Sequence, residues 1–435
     1  MNRKKRIILY YDNFVRDYRG LLLLAALLRE KGNKVWIHAL WDNAIDFIKT
    51  VNPDTVVMGQ IGEYSTSLIG YFVYESDINL VINTAESVNY GDKLDVFFRF
   101  NFKEFNEKYI AIQVIPSRDL YNFVLASEIV DKNKYKFIGF PRTDFSVDNG
   151  LRVVEKNYLT KKYDLMKYKT IILYVSSFIF DQTGGQVTEE NKNDIDIDAF
   201  VSKEAKLKMQ HEPILKRLQK EMIKEENLLL IKKHPWDKSS YFENTYAGSN
   251  CIVVDNHDYI APLIHISDML LHTESTSALE AWIQGKRTIS IIPDFDGDRS
   301  KLKNHMRQEI IVTNYEELAH TIAHYPLPCP SEASLENYGP FLDGKATIRL
   351  ANEINKLYPK TDKKKSERNS LFRSFIGAMT GIKRYLIKKR IDLSAVSKDD
   401  YLYNYLLWET KKEEVEKRYK KAIKQYIKEN AALIR

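Results

Sequence analysis

The chain has 435 residues, which at roughly 100–200 residues per domain predicts two or three domains. Its composition, 44% hydrophobic and 29% charged with 17 Gly and 12 Pro, is globular and excludes a fibrous or disordered chain. Two cysteines exclude a disulfide framework and a cysteine-based zinc site, and no apolar run reaches the roughly 18–20 residues that cross a bilayer.

The net charge of +7 is concentrated in the last part of the chain. Residues 361–435 contain 20 basic and 10 acidic residues, whereas the preceding 360 contain 46 basic and 49 acidic ones. A nearly neutral body argues against a nucleic-acid-binding core. A basic tail indicates contact with an anionic surface, and the alternative is a solvated helical extension.

The amino terminus resembles the start of a signal peptide, but its apolar stretch covers only residues 7–11 and ends at Asp12. A secretory segment needs an apolar core of about 7–15 residues followed by a cleavage site. We therefore predict a first buried strand here and a cytoplasmic protein.

Short β-type runs alternate with helical segments through the first 140 residues, and the pattern starts again at residue 168. This alternation is typical of βαβ units and a parallel sheet, so it predicts two α/β domains with a boundary near residues 145–165. The predicted strands are residues 6–11, 34–39, 55–58, 79–83, 95–100, 111–114, 135–139, 168–175, 228–232, 251–254, 269–272 and 288–292. The predicted helices are residues 21–31, 43–51, 65–75, 117–130, 196–225, 260–266, 275–284 and 315–324.

The first candidate motif is His234-Pro235, which follows an apolar strand and the basic residue Lys232. Proline suits the first position of a helix, and a histidine beside a helix amino terminus lies where a phosphate binds. The alternative is an ordinary turn between a strand and a helix.

The second candidate motif begins after the strand at residues 269–272, where Ser275, Thr276 and then Glu280 follow. Hydroxyl side chains and backbone N–H groups at a helix start form an anion-binding cradle, and Glu280 is a candidate to bind a ribose. An ordinary helix cap is the alternative. Because both motifs end strands of one predicted domain, together they favour a nucleotide phosphate site in the cleft between the domains.

Three weaker candidates lie in the first domain. Arg142 and Asp144 follow a Gly-Phe-Pro turn at the domain boundary, where an ion pair that fixes the hinge is the alternative. Glu86 follows a strand and is a candidate acid or base, or else a carboxylate that balances a helix dipole. Arg16 and Asp17 precede the first predicted helix and either bind an anionic acceptor or cap that helix. The sequence has no Walker loop and no Gly-x-Gly-x-x-Gly after the first strand, and we predict no metal requirement.

The order of these motifs resembles that of the bacterial surface carbohydrate biosynthesis proteins over roughly residues 5–360. That family consists of GT-B glycosyltransferases and includes the Kdo transferases of capsule and O-antigen assembly. The resemblance implies an α/β GT-B fold, with two Rossmann-like domains facing a cleft and a basic helical C-terminal extension outside it. The domains would be residues 1–150 for the acceptor and catalytic carboxylates, 160–360 for the donor, and 361–435 for the tail.

The resemblance also implies residue roles. His234, with Pro235 and Lys232 beside it, would contact the donor phosphate and stabilise charge on the leaving nucleotide without a metal or other cofactor. Ser275 and Thr276 would hold the same phosphate, Glu280 the ribose, and Ser176 and Ser177 would add donor contacts. Asp144 would be the nucleophile and Glu86 the acid or base of a retaining transfer, with Arg142, Arg16 and Asp17 on the acceptor side. The sequence departs from the family pattern at Phe140 and Lys233.

The resulting expectation is a cytoplasmic transferase that uses a CMP-activated acidic sugar, Kdo or a similar one, and a glycan or lipid-linked glycan acceptor. The alternatives are a polyol-phosphate transferase with a CDP-linked donor, a UDP-sugar 2-epimerase, and an inactive assembly scaffold. In the tail, residues 371–390 alternate apolar and basic side chains at helical spacing, which predicts peripheral attachment to the inner membrane, with packing on the body as the alternative. Residues 411–427 are expected to form a solvated helix.

Overall fold

A computed structural model describes residues 4–59, 64–84, 109–126, 131–178, 197–224, 226–235, 237, 239–246, 248, 250–273, 275–302, 307, 309–324, 335, 337–338, 342–359 and 401–434. Over these residues the chain forms two parallel sheets, one after the other in sequence, with helices packed against them. The predicted α/β class is confirmed. The predicted strand at 95–100 lies outside the described residues.

The first sheet has the strand order β2-β1-β3-β4-β5-β6 in the described part of the chain, and all its pairings are parallel. Its strands are β1 Arg6–Tyr11, β2 Lys34–Ala39, β3 Thr55–Met58, β4 Asn79–Ile82, β5 Ile110–Val114 and β6 Tyr135–Lys136. Its helices are α1 Phe14–Glu30, α2 Ala44–Val51, α3 Tyr64–Glu75 and α4 Arg118–Ala126. The central strands are buried along nearly their whole length, as expected of a parallel sheet that helices cover on both faces.

The second sheet has the order β12-β11-β10-β7-β8-β9 over the same described residues, again parallel throughout. Its strands are β7 Ile171–Val175, β8 Leu228–Lys232, β9 Cys251–Val253, β10 Met269–His272, β11 Arg287–Ile291 and β12 Ile310–Val312. The helices from the linker onward are α5 Lys156–Lys162, α6 Ile197–Lys224, α7 Tyr241–Tyr246, α8 Ile260–Ile266, α9 Ser277–Ile283 and α10 Tyr315–His324.

Helix α1 begins seven residues earlier than the sequence pattern predicts, at Phe14. The side chain of Asn13 accepts the N–H of Arg16 at 3.1 Å, and the carboxylate of Asp17 accepts the N–H of Asn13 at 2.9 Å. These reciprocal bonds cap the helix, so Arg16 and Asp17 lie in its first turn rather than in a preceding loop.

In the described part of the chain three helices follow the second sheet, α11 Ala346–Lys356, α12 Tyr401–Glu429 and α13 Ala431–Ile434. Both α11 and α12 pack against α1 of the first sheet, and one apolar core continues from that sheet through α1 to the second sheet. Helical structure is confirmed for residues 401–434 of the tail, whereas residues 361–400 lie outside the described residues and the domain limits 1–150, 160–360 and 361–435 stay predictions.

The expectation of a solvated helix over residues 411–427 is wrong for one face of α12. Val415, Tyr419, Ile423 and Tyr426 are buried, and they lie at the spacing of successive helical turns. Residues 371–390, on which the membrane prediction rests, lie outside the described residues. No helix in the described ranges is both long enough and apolar enough to span a bilayer.

Candidate active site

An open pocket with about 440 Å³ of empty space lies beyond the carboxyl ends of β1, β3 and β4. Its wall includes Arg16 and Asp17 of α1, Asn83 and Thr84 after β4, and Arg142 in the 3₁₀ turn Pro141–Phe145. The carboxyl edge of a parallel sheet is where ligands bind in α/β proteins. The pocket therefore brings together three of the predicted residues.

Arg16 is held in place by two carboxylates. Its Nε donates to Asp17 Oδ1 at 2.6 Å, and its Nη2 donates to Asp12 Oδ2 at 3.2 Å. Asp17 also accepts the backbone N–H groups of Asp12 and Asn13. Asp17 thus caps α1 and orients Arg16 at the pocket wall, and its acceptor-side role stays a prediction.

Arg142 and Glu280 form a two-pronged ion pair between the 3₁₀ turn and α9. Arg142 Nε donates to Glu280 Oε1 at 2.8 Å and Nη2 donates to Oε2 at 3.3 Å, while the Glu280 side chain is only 2% exposed. Glu280 was expected to bind a ribose, but its two oxygens instead hold Arg142. Arg142 thus lines the pocket at the first sheet, while Glu280 in helix α9 of the second sheet holds its side chain in place.

Asp144 occupies a different position from the one expected of a nucleophile. It is fully buried, and its two oxygens accept the N–H groups of Ala346 at 3.1 Å and Thr347 at 2.7 Å. Burial raises the pKa of Asp144 to about 6, although the bonds to these N–H groups act in the opposite direction. The carboxylate caps α11, and this position does not suit attack on a sugar in the cleft.

His234 follows β8 and is half-buried near three cations. Burial lowers its pKa to about 4, and the positive charges of Arg16, Lys232 and Arg142 act in the same direction. His234 is therefore neutral at pH 7, so positive charge for a donor phosphate comes from its neighbours instead. The site unites residues of both sheets: Arg16 from the first and Lys232 and His234 from the second.

Lys232 is the last residue of β8 and is 3% exposed. Its Nζ donates to the backbone oxygen of Asn256 at 2.8 Å, and burial lowers its pKa to about 7. The amide of Asn256 in turn donates to the backbone oxygens of His234 and Pro235. The sequence motifs do not predict a role for Asn256, although a polar residue shortly after β9 indicates the same carboxyl edge of the sheet as His234.

Pro235 does not begin a helix, contrary to expectation. It lies in a turn, and the next helix, α7, begins only at Tyr241. The turn is instead fixed by the hydrogen bonds from Asn256 and by Asp237, whose N–H donates to the backbone oxygen of His234. Over residues 235, 237 and 239–240, which the structure describes, the backbone therefore offers no row of helix N–H groups beside His234.

The Ser275–Thr276 segment also differs from a simple helix cap. Ser275 N–H donates to His272 Nδ1 at 3.2 Å, and Ser277 N–H donates to Ser275 Oγ at 3.2 Å. Thr276 occupies the N-cap position of α9, and its side chain makes no capping hydrogen bond. The predicted cradle combines hydroxyl and backbone N–H groups; the N–H groups of Ser275 and Ser277 are already bonded within this region, and the role of the hydroxyl groups toward a phosphate stays a prediction.

Ser176 and Ser177 follow β7, which lies between β8 and β10 in the sheet. Ser176 is buried and its Oγ accepts the N–H of Phe178 at 3.1 Å, whereas Ser177 is half-buried. The ends of these three strands bring both serines to the edge that carries His234 and Ser275. Of the pair, Ser177 is the better placed to reach a ligand.

Glu86 lies outside the described residues, so its role as acid or base stays a prediction. Within the described ranges, no three His, Cys, Asp or Glu side chains gather as ligands for a metal ion. The predicted metal independence is not tested by this and also stays a prediction.

Comparisons with known proteins match this two-sheet architecture. Residues 103–276 match a family model described as CDP-Glycerol:Poly(glycerophosphate) glycerophosphotransferase, and that range includes Arg142, Lys232, His234, Ser275 and Thr276. No curated protein matches the chain significantly.

Several solved structures share the fold at low sequence identity. The wall teichoic acid polymerase TagF is 15% identical, with 81% of this chain and 89% of that chain covered and a TM-score of 0.55. The UDP-GlcNAc 2-epimerase from Neisseria meningitidis, bound to UDP-GlcNAc, is 10% identical, with 81% and 100% covered and a TM-score of 0.51. The MnaA–UDP structure from S. aureus gives 14% identity, 80% and 96% coverage and a TM-score of 0.50. These likenesses confirm the GT-B-like fold.

The family match supports a transferase-type enzyme, and the structural neighbours support the fold alone. Among the activities weighed from the sequence, the match favours the polyol-phosphate transferase with a CDP-linked donor. No finding supports Kdo or a CMP-linked donor, so the main expectation is corrected in favour of its alternative.

Proposed function

We propose that this protein transfers a polyol phosphate from a CDP-linked donor to a hydroxyl group of a growing bacterial surface polymer. The observation that carries the proposal is the pair of arginines on the pocket wall, Arg16 and Arg142, whose positive charges act on His234 at the end of β8 together with that of the partly protonated Lys232. A diphosphate is the kind of ligand that several cations in a partly buried cleft bind well. The glycerophosphotransferase model match, whose range includes Arg142, Lys232 and His234 but not Arg16, supports this donor class.

The chemistry is a displacement at phosphorus. The acceptor hydroxyl oxygen forms a bond to the phosphorus that carries the polyol, and the bond from that phosphorus to the CMP oxygen breaks. CMP leaves with the electron pair, and the hydroxyl proton passes to a base. Because charge spreads over the phosphate oxygens during transfer, fixed cations contribute most of the catalysis. Arg142, fixed by Glu280, and Arg16, fixed by Asp12 and Asp17, fit this role.

His234 contributes a hydrogen bond to the donor phosphate in this proposal. A neutral imidazole has one donor and one acceptor nitrogen. An approaching phosphate dianion favours the protonated form of His234, so donor binding raises its pKa from about 4. The double displacement that would have used Asp144 has no part in transfer at phosphorus.

The first test is thermal stabilisation by CMP, CDP, UDP and GDP in the wild type, His234→Ala and the control His320→Ala. His320 is an exposed histidine on α10, away from the sheet edge. We expect CDP to raise the melting temperature of the wild type and the control more than the other nucleotides do, and His234→Ala to lose that gain. CMP release from CDP-glycerol in the presence of a polyol-phosphate acceptor then measures the transfer itself.

Other outcomes point to other functions. Stabilisation by CMP alone, with transfer from CMP-Kdo, would reinstate the acidic-sugar donor. Stabilisation by UDP alone would favour a 2-epimerase, and no stabilisation by any nucleotide would favour an inactive scaffold.

We also propose that the protein works at the cytoplasmic face of the membrane, where a lipid-linked acceptor is made available. Support comes from five exposed lysines, which lie within about 100° of one another around α12, opposite its buried stripe. They are Lys417, Lys420, Lys421, Lys424 and Lys428. Among the described residues none of the five forms an ion pair, so the face remains strongly basic.

This second proposal is tested by sedimentation with vesicles. The wild type should sediment with vesicles that contain phosphatidylglycerol and not with phosphatidylcholine alone, and binding should weaken with salt. Changing the five lysines to glutamine should abolish binding, whereas five such changes at exposed lysines elsewhere should not. Equal binding by the two variants would contradict a role for α12.

A further inference from the structure

His272 and Glu309 form a buried pair directly behind the Ser275–Thr276 segment. His272 is the last residue of β10, Glu309 immediately precedes β12, and both side chains are 0% exposed. His272 Nε2 lies 3.0 Å from Glu309 Oε1. Because a carboxylate only accepts hydrogen bonds, Nε2 carries the hydrogen and Nδ1 of the neutral ring is an acceptor.

That acceptor meets the backbone N–H of Ser275 at 3.2 Å. A chain of hydrogen bonds thus runs from Glu309 through His272 to Ser275, and continues from Ser277 N–H to Ser275 Oγ. With one lone pair of Oγ occupied, the Ser275 hydroxyl still has its own hydrogen to donate. The segment is therefore fixed from behind, and its hydroxyl is left for a ligand.

At the carboxylate end of the chain Oε1 of Glu309 is hydrogen-bonded, whereas Oε2 is buried and has no hydrogen-bond partner among the described residues. The Thr288 hydroxyl lies 3.4 Å from Glu309 Oε1, and the indole N–H of Trp282 donates to Thr288 Oγ1 at 2.6 Å. Burying an ionisable pair is costly unless its hydrogen bonds are made. A pair that is fully buried at a strand end, rather than in the middle of the core, suits a role in fixing the adjacent loop.

We infer that His272 and Glu309 are positioning residues, which hold Ser275 so that its hydroxyl donates to the diphosphate of the bound donor. This inference rests on the proposed function, because it takes the donor to be a nucleoside diphosphate. It adds two residues that act through Ser275 rather than by touching the ligand.

Two substitutions of His272 test the hydrogen bonds of Nδ1 and Nε2 separately. In His272→Asn the side-chain oxygen lies near the position of Nδ1, so it still accepts Ser275 N–H but does not reach Glu309. In His272→Gln the amide reaches Glu309 near the position of Nε2 and leaves Ser275 N–H without its acceptor. Ser275→Ala removes the hydroxyl alone from a half-buried site, and Cys251→Ala is a control for a buried change at the far edge strand β9.

Each variant is measured in two ways: amide hydrogen exchange of the Ser275 segment without ligand, and the Kd for CDP. We expect exchange at Ser275 to be slow in the wild type and His272→Asn and fast in His272→Gln. The Kd for CDP should rise about tenfold in His272→Gln and Ser275→Ala, and less than about threefold in His272→Asn and Cys251→Ala.

Slow exchange in both His272 variants, or an unchanged Kd in His272→Gln, would overturn the inference. If the His272 variants do not fold, an unchanged Kd in Ser275→Ala overturns it as well. A wild type that binds no nucleotide refutes the proposed function and the donor role of Ser275. The exchange pattern then decides, independently of any ligand, whether the hydrogen-bond chain fixes the segment.

Discussion

At the scale of single residues, Asp144 stabilises the start of α11, where N–H groups have no partners within the helix. Asp144→Asn keeps one acceptor oxygen and sets an amide against the second N–H group. We expect a loss of about 1–3 kcal/mol in the free energy of unfolding, with kcat of the folded enzyme nearly unchanged. Urea unfolding and turnover at a temperature well below the transition measure the two quantities separately.

The control for this change is Asp148→Asn, at a carboxylate that is 91% exposed and only four residues away. It should alter neither stability nor turnover appreciably. A large loss of kcat in Asp144→Asn without loss of stability would return Asp144 to the role of nucleophile.

Two histidines make stability depend on pH in the acidic range. Burial lowers the pKa of both His211 and His234 to about 4, below the ordinary value of 6.5. Between these values the unfolded chain binds more protons than the folded one, so stability falls as the pH falls from 6.5 towards 4, by up to about 1.4 kcal/mol per pH unit for each histidine. Urea unfolding at pH 7, 6 and 5 should show this slope, and His234→Asn should show a smaller one.

Asp144 acts in the opposite sense because its pKa is raised to about 6. The folded state binds its proton first, so this residue adds stability as the pH falls from 6 towards the unfolded value of 3.8. The acid loss of stability should therefore be steeper in Asp144→Asn than in the wild type. A shallower loss would mean that the helix N–H groups dominate and keep the carboxylate ionised.

At the scale of elements, α12 depends on one apolar stripe for its place on the body. Val415→Asp buries an unpaired carboxylate against the core, and we expect it to destabilise the protein by more than about 3 kcal/mol. Lys417→Asp, two residues away on the exposed face, is the matched control and should change stability by less than about 0.5 kcal/mol. Thermal unfolding measures both. Equal effects would mean that α12 does not pack against the body in solution.

The sequence pattern predicts this fold well where an element is apolar on all sides. The strands β1, β3, β7 and β8 appear as short apolar runs between turns, and the parallel sheets follow from their alternation with helices. Helix α12 is different because lysines and glutamates outnumber the four side chains that are buried among residues 411–429, the part of the helix whose side chains are described. Its stripe has helical spacing, but what it packs against is set by residues of α1 almost 400 positions earlier.

The same limit applies to the candidate site. His234 and Ser275 stand at predicted strand ends, so their common edge follows from the sequence. The pairing of Glu280 with Arg142 does not follow from the sequence, because the two residues are 138 positions apart and only the hinge geometry brings them together. The conformation of Gly139, with φ at +91°, belongs to that hinge and is one that glycine adopts readily. Asp144 shows the converse error: the resemblance to the glycosyltransferase family implied a nucleophile, and the structure gives a helix cap.

At the scale of the whole molecule, the end of the chain returns to the first sheet. Arg19 of α1, Glu155 of the linker and Arg418 of α12 form a cluster in which Glu155 Oε1 lies 3.0 Å from a nitrogen of each arginine. Glu155 and Arg19 are almost fully buried, so this cluster fixes the linker against two helices. Residues of α1 also line the pocket. The shape of the pocket therefore depends on how this cluster holds α1, the linker and α12 together.

The proposed donor site requires both sheets, and Arg16 is its test because it comes from the first one. We compare Arg16→Gln with Arg152→Gln, since both arginines are partly buried and bonded to a nearby aspartate. Losing a charge-assisted bond to phosphate should raise the Kd for CDP about tenfold in Arg16→Gln only, and the difference should shrink at high salt. Calorimetry at two ionic strengths measures this. If both variants bind CDP like the wild type, Arg16 does not contact the diphosphate, and the donor binds to the second sheet alone.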